Sequence, residues 1–198
     1  MRAAPENLPE LVAPLSVAGF RAMVEAGKPH HMPGDPARAE CQAALFDWDA
    51  LIDGVRDGTF PVRDLRIYKD RAKLPNLLLK NDPAERAALI ERLLAANASV
   101  ILNHVQTHVP AIGRLCEAVA GQTREHISAA AIATSGDGGA LKLHFDEYDI
   151  IVLQLDGAKK WEIYDDPVVN PVNGMSKQID EKDRARALEI VLQPGDWL

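Results

Sequence analysis

His144-Phe145-Asp146-Glu147-Tyr148-Asp149-Ile150-Ile151-Val152-Leu153-Gln154-Leu155-Asp156-Gly157-Ala158-Lys159-Lys160-Trp161 is the stretch on which the fold turns. On a β-strand, residues i and i+2 project from one face. His144 and Asp146 therefore converge while Phe145 packs on the other side. One imidazole and one carboxylate suit a divalent transition metal, and a second histidine from elsewhere would complete a facial set that leaves coordination positions open. Taken alone, His-x-Asp is a short pattern that also serves surface and hydrogen-bonding roles. Its setting adds weight. Ile150 to Leu155 carries no charge and reads as a buried strand, Asp156-Gly157 as a hairpin turn, and Lys159 as returning on the partner strand. An ammonium facing the interior there needs an anionic partner. Only one of Lys159 and Lys160 can point inward, and the plain alternative is that both sit on a solvated turn.

Working outward, the chain from Glu125 onward is a series of short β-prone runs separated by Gly and Asp: Ile127 to Thr134, Leu141 to Phe145, Ile150 to Leu155, Lys160 to Tyr164 and Glu189 to Leu192. Short strands in close succession predict a sandwich or barrel. Upstream the pattern is helical and irregular. Leu8 to Ala26 is an interrupted amphipathic stretch, and His30 to Pro36 is a proline-punctuated loop. Ala43 to Val55 spaces Leu45, Trp48, Leu51, Ile52 and Val55 as a helix, stopped by Asp57-Gly58, with Trp48 in the core. Val62 to Lys69 reads as a strand. Asp82-Pro83-Ala84-Glu85 carries a cap, a first-turn proline and a box-completing glutamate, so a helix starts near 83. Ser99 to Leu102 reads as a strand, and Pro110 to Val119 as a helix ended by Gly121. The organisation expected is an N-terminal helical and mixed region, 1–97, packing on a β-rich core, 98–198.

The 198 residues, 47% hydrophobic, bury one sizeable core. A formal charge of −7 argues against a nucleic-acid-binding surface and is compatible with a basic protein or peptide substrate. Two cysteines, Cys41 and Cys116, form neither a disulfide framework nor a metal knuckle and fit a reducing, cytoplasmic compartment. The proline-broken start, Met1 to Pro14, lacks the features of a signal peptide, and no stretch is long and apolar enough to span a membrane.

The remaining histidines take plainer readings. His104 and His108 have the spacing of one helical face but sit at a strand-to-helix junction with no Glu after His104, which favours a structural or surface role over a zinc site. His126 caps a loop, and His30 and His31 are expected to be solvent-exposed. Trp161 is expected to pack near Lys159. Asp165-Asp166 and Asp180 to Asp183 lack EF-hand spacing and read as solvated turns.

From Ala140 to Tyr164 these residues resemble the JmjC-type, cupin-fold oxygenases that use iron(II) and 2-oxoglutarate, especially those that hydroxylate ribosomal and other protein side chains. The resemblance rests on His144-x-Asp146, the run Tyr148 to Leu155, Gly157, Lys159 and Trp161 in order, and on Gln193-Pro194-Gly195-Asp196-Trp197-Leu198 as the turn that precedes the family's distal histidine. It implies a fold that is mostly β with α additions: a double-stranded β-helix (jelly roll, cupin) behind an N-terminal helical region. It also implies iron ligation by His144 and Asp146 and pairing of Lys159 with the distal carboxylate of 2-oxoglutarate, with Thr134 as a further cosubstrate contact. The cofactors implied are Fe(2+), 2-oxoglutarate and dioxygen. One departure is that Ala129-Ala130-Ala131 stands where some relatives place a pocket Asn.

The resemblance places the distal histidine after Leu198, and the closing residues are expected to end within a strand that presents an unpaired edge. The C-terminal strands are thus expected to be truncated, and the chain as it stands not to be a competent oxygenase. The function implied is hydroxylation of a C–H bond, most readily of a protein or peptide side chain. The alternatives are an oxygenase acting on a small molecule and a non-catalytic cupin-like binding module. No nucleic-acid or membrane partner is expected, and a homodimer is compatible with the chain.

Overall fold

The computed structural model describes residues 2–76, 82–136, 141, 143–164 and 185–198. Among them are six α-helices: α1 Leu8–Val12, α2 Val17–Glu25, α3 Pro36–Ala43, α4 Trp48–Arg56, α5 Pro83–Ala95 and α6 Pro110–Thr123. Six strands accompany them: β1 Leu65–Lys69, β2 Ala72–Lys73, β3 Ser99–Leu102, β4 Ala131–Thr134, β5 Lys159–Tyr164 and β6 Arg186–Leu192. The described residues are thus a mixture of helices and antiparallel sheets, not mostly β. The chain divides into two compact units, one formed by Met1–Leu45 with Lys142–Leu198 and the other by the contiguous Phe46–Leu141. No described helix is long and apolar enough to cross a membrane.

Helix starts follow local chemistry. The side chains of Asn7, Ser16, Asp35, Asp47 and Asp82 each accept a hydrogen bond from a backbone N–H in the first turn of the helix that follows, which satisfies one of the donors every helix start leaves open. Pro36, Pro83 and Pro110 stand at first helical positions, where a missing N–H costs nothing. The start of α5 is where Asp82-Pro83 places it. Asp35-Pro36 is the same signal, and it opens α3 in what reads as a loop. Because α3 runs to Ala43, the next helix begins at Trp48 instead of Ala43. Trp48, the first residue of α4, is 41% exposed and does not belong to the core. The helix at Pro110 continues past Gly121 to Thr123 and ends at Arg124, whose φ is 65°.

The contiguous unit is built on an antiparallel sheet of order β2-β1-β3-β4. Val62 to Asp64 is a short 3-10 turn, so the strand starts at Leu65. Leu65 and Ile67 of β1 and Val100 and Leu102 of β3 are buried, as are Ile90 and Leu94 of α5, Leu51, Ile52 and Val55 of α4, and Phe60. At Gly54 a Cβ would fall on the Phe60 ring, so the absent side chain is what lets Phe60 pack against α4. The strand predicted from Ile127 begins only at Ala131.

In the other unit, β5 and β6 pair antiparallel from Lys159↔Leu192 to Tyr164↔Arg186. The residues before β5 pair elsewhere. Val152 and Leu198 exchange both backbone hydrogen bonds, at 2.8 and 3.0 Å, and Gln154 N donates to Asp196 O at 3.0 Å. On the other side of the same segment, Met32 and Trp197 exchange both bonds, at 2.9 and 3.1 Å. Three expectations are corrected here. Asp156-Gly157 is a turn with Gly157 at φ 62°, but it does not join a hairpin, because the partner of β5 is β6. Ile150 to Leu155 is not a regular buried strand: Ile150 and Ile151 are exposed and only isolated pairing is present around Leu153. Asp196 to Leu198 does not present an open edge, being paired on both sides. Leu8, Leu11, Val12, Phe20, Leu45, Leu192 and Trp197 are buried apolar residues of this unit.

Candidate functional site

His144 and Asp146 lie in a segment without regular strand structure among the described residues, so their convergence does not come from a ladder as predicted. They nevertheless face each other: His144 Nε2 is 3.9 Å from Asp146 Oδ2, with the two side chains 36% and 22% exposed. Two metal–ligand bonds of about 2.1 Å at the roughly 90° of a facial set place their donors about 3 Å apart, so one divalent ion would draw this pair about 1 Å closer. The donor set, one imidazole and one carboxylate, fits iron(II) chemistry. Among the described residues no group of three His, Cys, Asp or Glu is gathered in a metal-holding arrangement.

Lys159 and Lys160, adjacent on β5, have opposite fates. Lys160 is exposed and bridges Glu162 and Glu189, each at 3.1 Å. Lys159 is half-buried, with Nζ 6.0 Å from the centre of the Trp161 ring, as the sequence led one to expect of Trp161. Burial pulls the Lys159 ammonium below the ordinary lysine range, because a low-dielectric surrounding disfavours the charged form. Thr134 ends β4 in the contiguous unit. Its hydroxyl lies 2.9 Å from Ser99 Oγ, its register partner on β3.

Two carboxylate–histidine clusters went unread as clusters. Asp64, buried at the end of its 3-10 turn, receives His104 Nδ1 at 3.1 Å and His108 Nε2 at 3.0 Å. Its backbone carbonyl accepts from Asn103 N as well. Burial raises the Asp64 carboxyl, but the hydrogen bonds from His108 and His104 outweigh it and hold the group below the ordinary range. A carboxylate only accepts, so each imidazole nitrogen facing it carries the hydrogen. His104 reaches its position with φ 53°, a left-handed conformation that His adopts more readily than most residues. The structural role expected for His104 and His108 is thus observed, and their four-residue spacing was the signal for a shared partner.

The second cluster is Asp196 of the Pro-Gly-Asp turn, where Oδ2 is 3.0 Å from His31 Nε2 and accepts from Gln193 N, while Oδ1 accepts from Gly34 N. Here too burial is outweighed, by the backbone bonds from Gln193 and Gly34 and by His31. His31 is therefore not the exposed residue expected, whereas His30 is exposed and tilts against Trp197 with ring centroids 5.9 Å apart. Asp165-Asp166 and Asp180 to Asp183 lie outside the described residues. A cleft of about 450 Å³ in the contiguous unit, lined by residues including Gln106, Cys116, Glu117 and His126, includes none of His144, Asp146, Lys159 and Thr134. Burial raises the Cys116 thiol, which makes it a poor nucleophile.

Residues 101–198, about half of the chain, match the family described as JmjC domain. The chain belongs to the JmjC family, and a JmjC domain implies a cupin fold. Among curated relatives, ribosomal oxygenase 2 of Mus musculus is 22% identical over 189 residues, 95% of this chain and 40% of the relative. Ribosomal oxygenase 2 of Rattus norvegicus is likewise 22% identical over 189 residues, 95% of this chain and 40% of the relative. That of Bos taurus is 23% identical over 164 residues, 83% of this chain and 35% of the relative. The chain thus spans about two fifths of the length of the curated relatives it matches.

Proposed function

We propose that the protein is an iron(II)- and 2-oxoglutarate-dependent dioxygenase that hydroxylates a C–H bond of a protein or peptide side chain. The observation that carries this reading is the 3.9 Å approach of His144 Nε2 to Asp146 Oδ2 inside the JmjC match. His144 and Asp146 are the residues that would hold the metal, which would keep coordination positions for the cosubstrate and dioxygen. Bound iron(II) supplies the open coordination and redox chemistry by which 2-oxoglutarate and dioxygen are turned into a C–H oxidant. Lys159 would meet the carboxylate of 2-oxoglutarate remote from the metal, and that contact would relieve an ammonium that burial otherwise disfavours. The jelly-roll arrangement around these residues and a cosubstrate contact from Thr134 belong to the same proposal, as does a cytoplasmic location. The formal charge of −7 supports a basic substrate segment.

The test is succinate formation by the full-length protein with iron(II), 2-oxoglutarate and dioxygen, comparing wild type with His144→Ala and Asp146→Ala. Turnover above background in the wild type alone is expected. Equal turnover in all three would remove both residues from catalysis. A second reading, a cupin-like module that binds without turnover, is favoured by one observation: the described residues gather two metal donors and not three. It predicts 2-oxoglutarate binding with no succinate from any of the three proteins.

A further inference from the structure

Lys159 and Trp161 occupy positions i and i+2 of β5 and so share a face. Along this strand Lys159, Trp161 and Ile163 are half-buried, as is the terminal Tyr164, and the exposed Lys160 and Glu162 belong to the other face. The outer face is matched in charge, since Lys160 meets two carboxylates. The inner face is not. Among the described residues Lys159 has no hydrogen-bond or ion-pair partner, and its one contact of this kind is the Trp161 ring. The indole nitrogen of Trp161 is itself buried and finds no acceptor among the described residues. An indole N–H can only donate, as can an ammonium. A buried donor left without an acceptor loses its hydration and gains nothing in return. Two donors side by side on one strand face therefore call for an anion with several acceptor sites, and a carboxylate offers two oxygens with about four lone-pair positions.

We infer that Trp161 Nε1–H is a second donor, beside the Lys159 ammonium, to the remote carboxylate of 2-oxoglutarate. The inference rests on the dioxygenase reading above and adds a residue to it. Nζ stands 6.0 Å from the ring centre, so the ammonium and the indole lie on neighbouring parts of one face, near enough for hydrogen bonds of about 2.9 Å to the separate oxygens of one carboxylate. The two donors do different work. The ammonium attracts negative charge from any direction, whereas the indole N–H donates along one line in the ring plane. Trp161 therefore discriminates where the carboxylate sits, favouring a five-carbon 2-oxo diacid over a 2-oxo acid that lacks the second carboxylate.

The experiment is calorimetric binding under nitrogen, with iron(II) present, of 2-oxoglutarate and of 2-oxobutyrate to the wild type and to Trp161→Phe, which keeps a ring but removes the donor. Trp161→Phe should weaken 2-oxoglutarate about tenfold and leave 2-oxobutyrate unchanged. In the wild type, with zinc as a diamagnetic substitute, the indole N–H resonance of Trp161 should move on addition of 2-oxoglutarate and stay in place with 2-oxobutyrate. That measurement stands even if the variant folds poorly. Unchanged 2-oxoglutarate affinity, an unmoved resonance, or equal weakening of both acids would overturn the role of Trp161 while leaving the site reading intact. Absence of 2-oxoglutarate binding by the wild type would overturn the site reading and this inference together.

Discussion

His144 Nε2 stands 3.9 Å from Asp146 Oδ2 although neither residue belongs to a regular strand among those described. The two donors are brought together by the path of an irregular segment. Removing either should cost more metal affinity than the ten- to hundredfold that losing an outer-shell partner costs. Iron(II) affinity of His144→Ala and of Asp146→Ala, measured anaerobically by competition with a chromophoric chelator, should fall by at least about a hundredfold. Wild-type affinity in either variant would place the ion elsewhere.

Lys159 should trade stability for binding. Its ammonium is pulled below the ordinary lysine range by burial, so folding with the charge in place carries a penalty. Replacing an incompletely matched buried charge by an apolar side chain is often neutral or stabilising. Lys159→Met should raise stability by about 1 kcal/mol at pH 7 and abolish measurable 2-oxoglutarate binding. The sign with pH follows from a folded value lower than the unfolded one. The penalty is full below the folded pKa and fades as pH rises toward the ordinary value of about 10.4. Denaturant unfolding at pH 7 and pH 10 should therefore show the gap between the two proteins narrowing. A less stable Lys159→Met at pH 7 would show that the ammonium is well matched.

Asp64 should behave in the opposite way. Its carboxyl is held below the ordinary range in the folded state, with hydrogen bonds from His108 and His104 prevailing over burial. The stability it contributes is present above the unfolded value of about 3.9 and is lost as pH falls through the folded value. Asp64→Asn keeps the shape but leaves one of two imidazole donors facing an amide. It should cost about 1–3 kcal/mol at pH 7, and the difference from wild type should shrink as pH falls below the unfolded value of about 3.9. A constant difference across that range would assign the effect to packing instead of charge.

The turn at Gly195 offers a purely steric test. A Cβ at Gly34 would fall on the backbone of Gly195 and lie 2.7 Å from Asp196 N, and Gly195 itself holds φ 91° with Ala39 N 2.9 Å from the place of its own Cβ. Neither obstacle is a flexible side-chain tip. Gly34→Ala and Gly195→Ala should each lower stability by about 2–3 kcal/mol. In a thermal scan either variant melting with the wild type would mean that the two segments do not meet this closely.

Local chemistry was the legible part of this fold. Asp82 and Pro83 mark the start of α5 because a cap and a first-turn proline act within one turn, and Ser99 to Leu102 is a strand as its β-branched run implies. Asp35-Pro36 carries the same cap and went unread only because Pro33 and Gly34 beside it signal a loop. What depended on distant partners was not legible. Asp156-Gly157 has the composition of a hairpin turn, yet β5 takes β6 as its partner, and Val152 to Gln154 takes Asp196 to Leu198. Trp48 fits the apolar stripe of α4 by spacing, but as the first residue of the helix it is exposed. At the site, strand alternation allowed only one of Lys159 and Lys160 to turn inward, and the family resemblance, not the alternation, pointed to Lys159. The Asp64 and Asp196 clusters followed from neither, since each joins residues far apart in the chain.

The pairing of Met32 with Trp197 also orders events in time. His31 and Asp196, beside that pairing, are 165 residues apart, and the whole contiguous unit, Phe46–Leu141, lies between them. A chain emerging from the ribosome therefore completes the contiguous unit while the other still lacks both β5 and β6, and closing so long a loop is the slow kind of step. His144, Asp146 and Lys159 belong to the late unit. The proposed metal ligands would thus take their places only after residues 186–198 have joined residues 1–45.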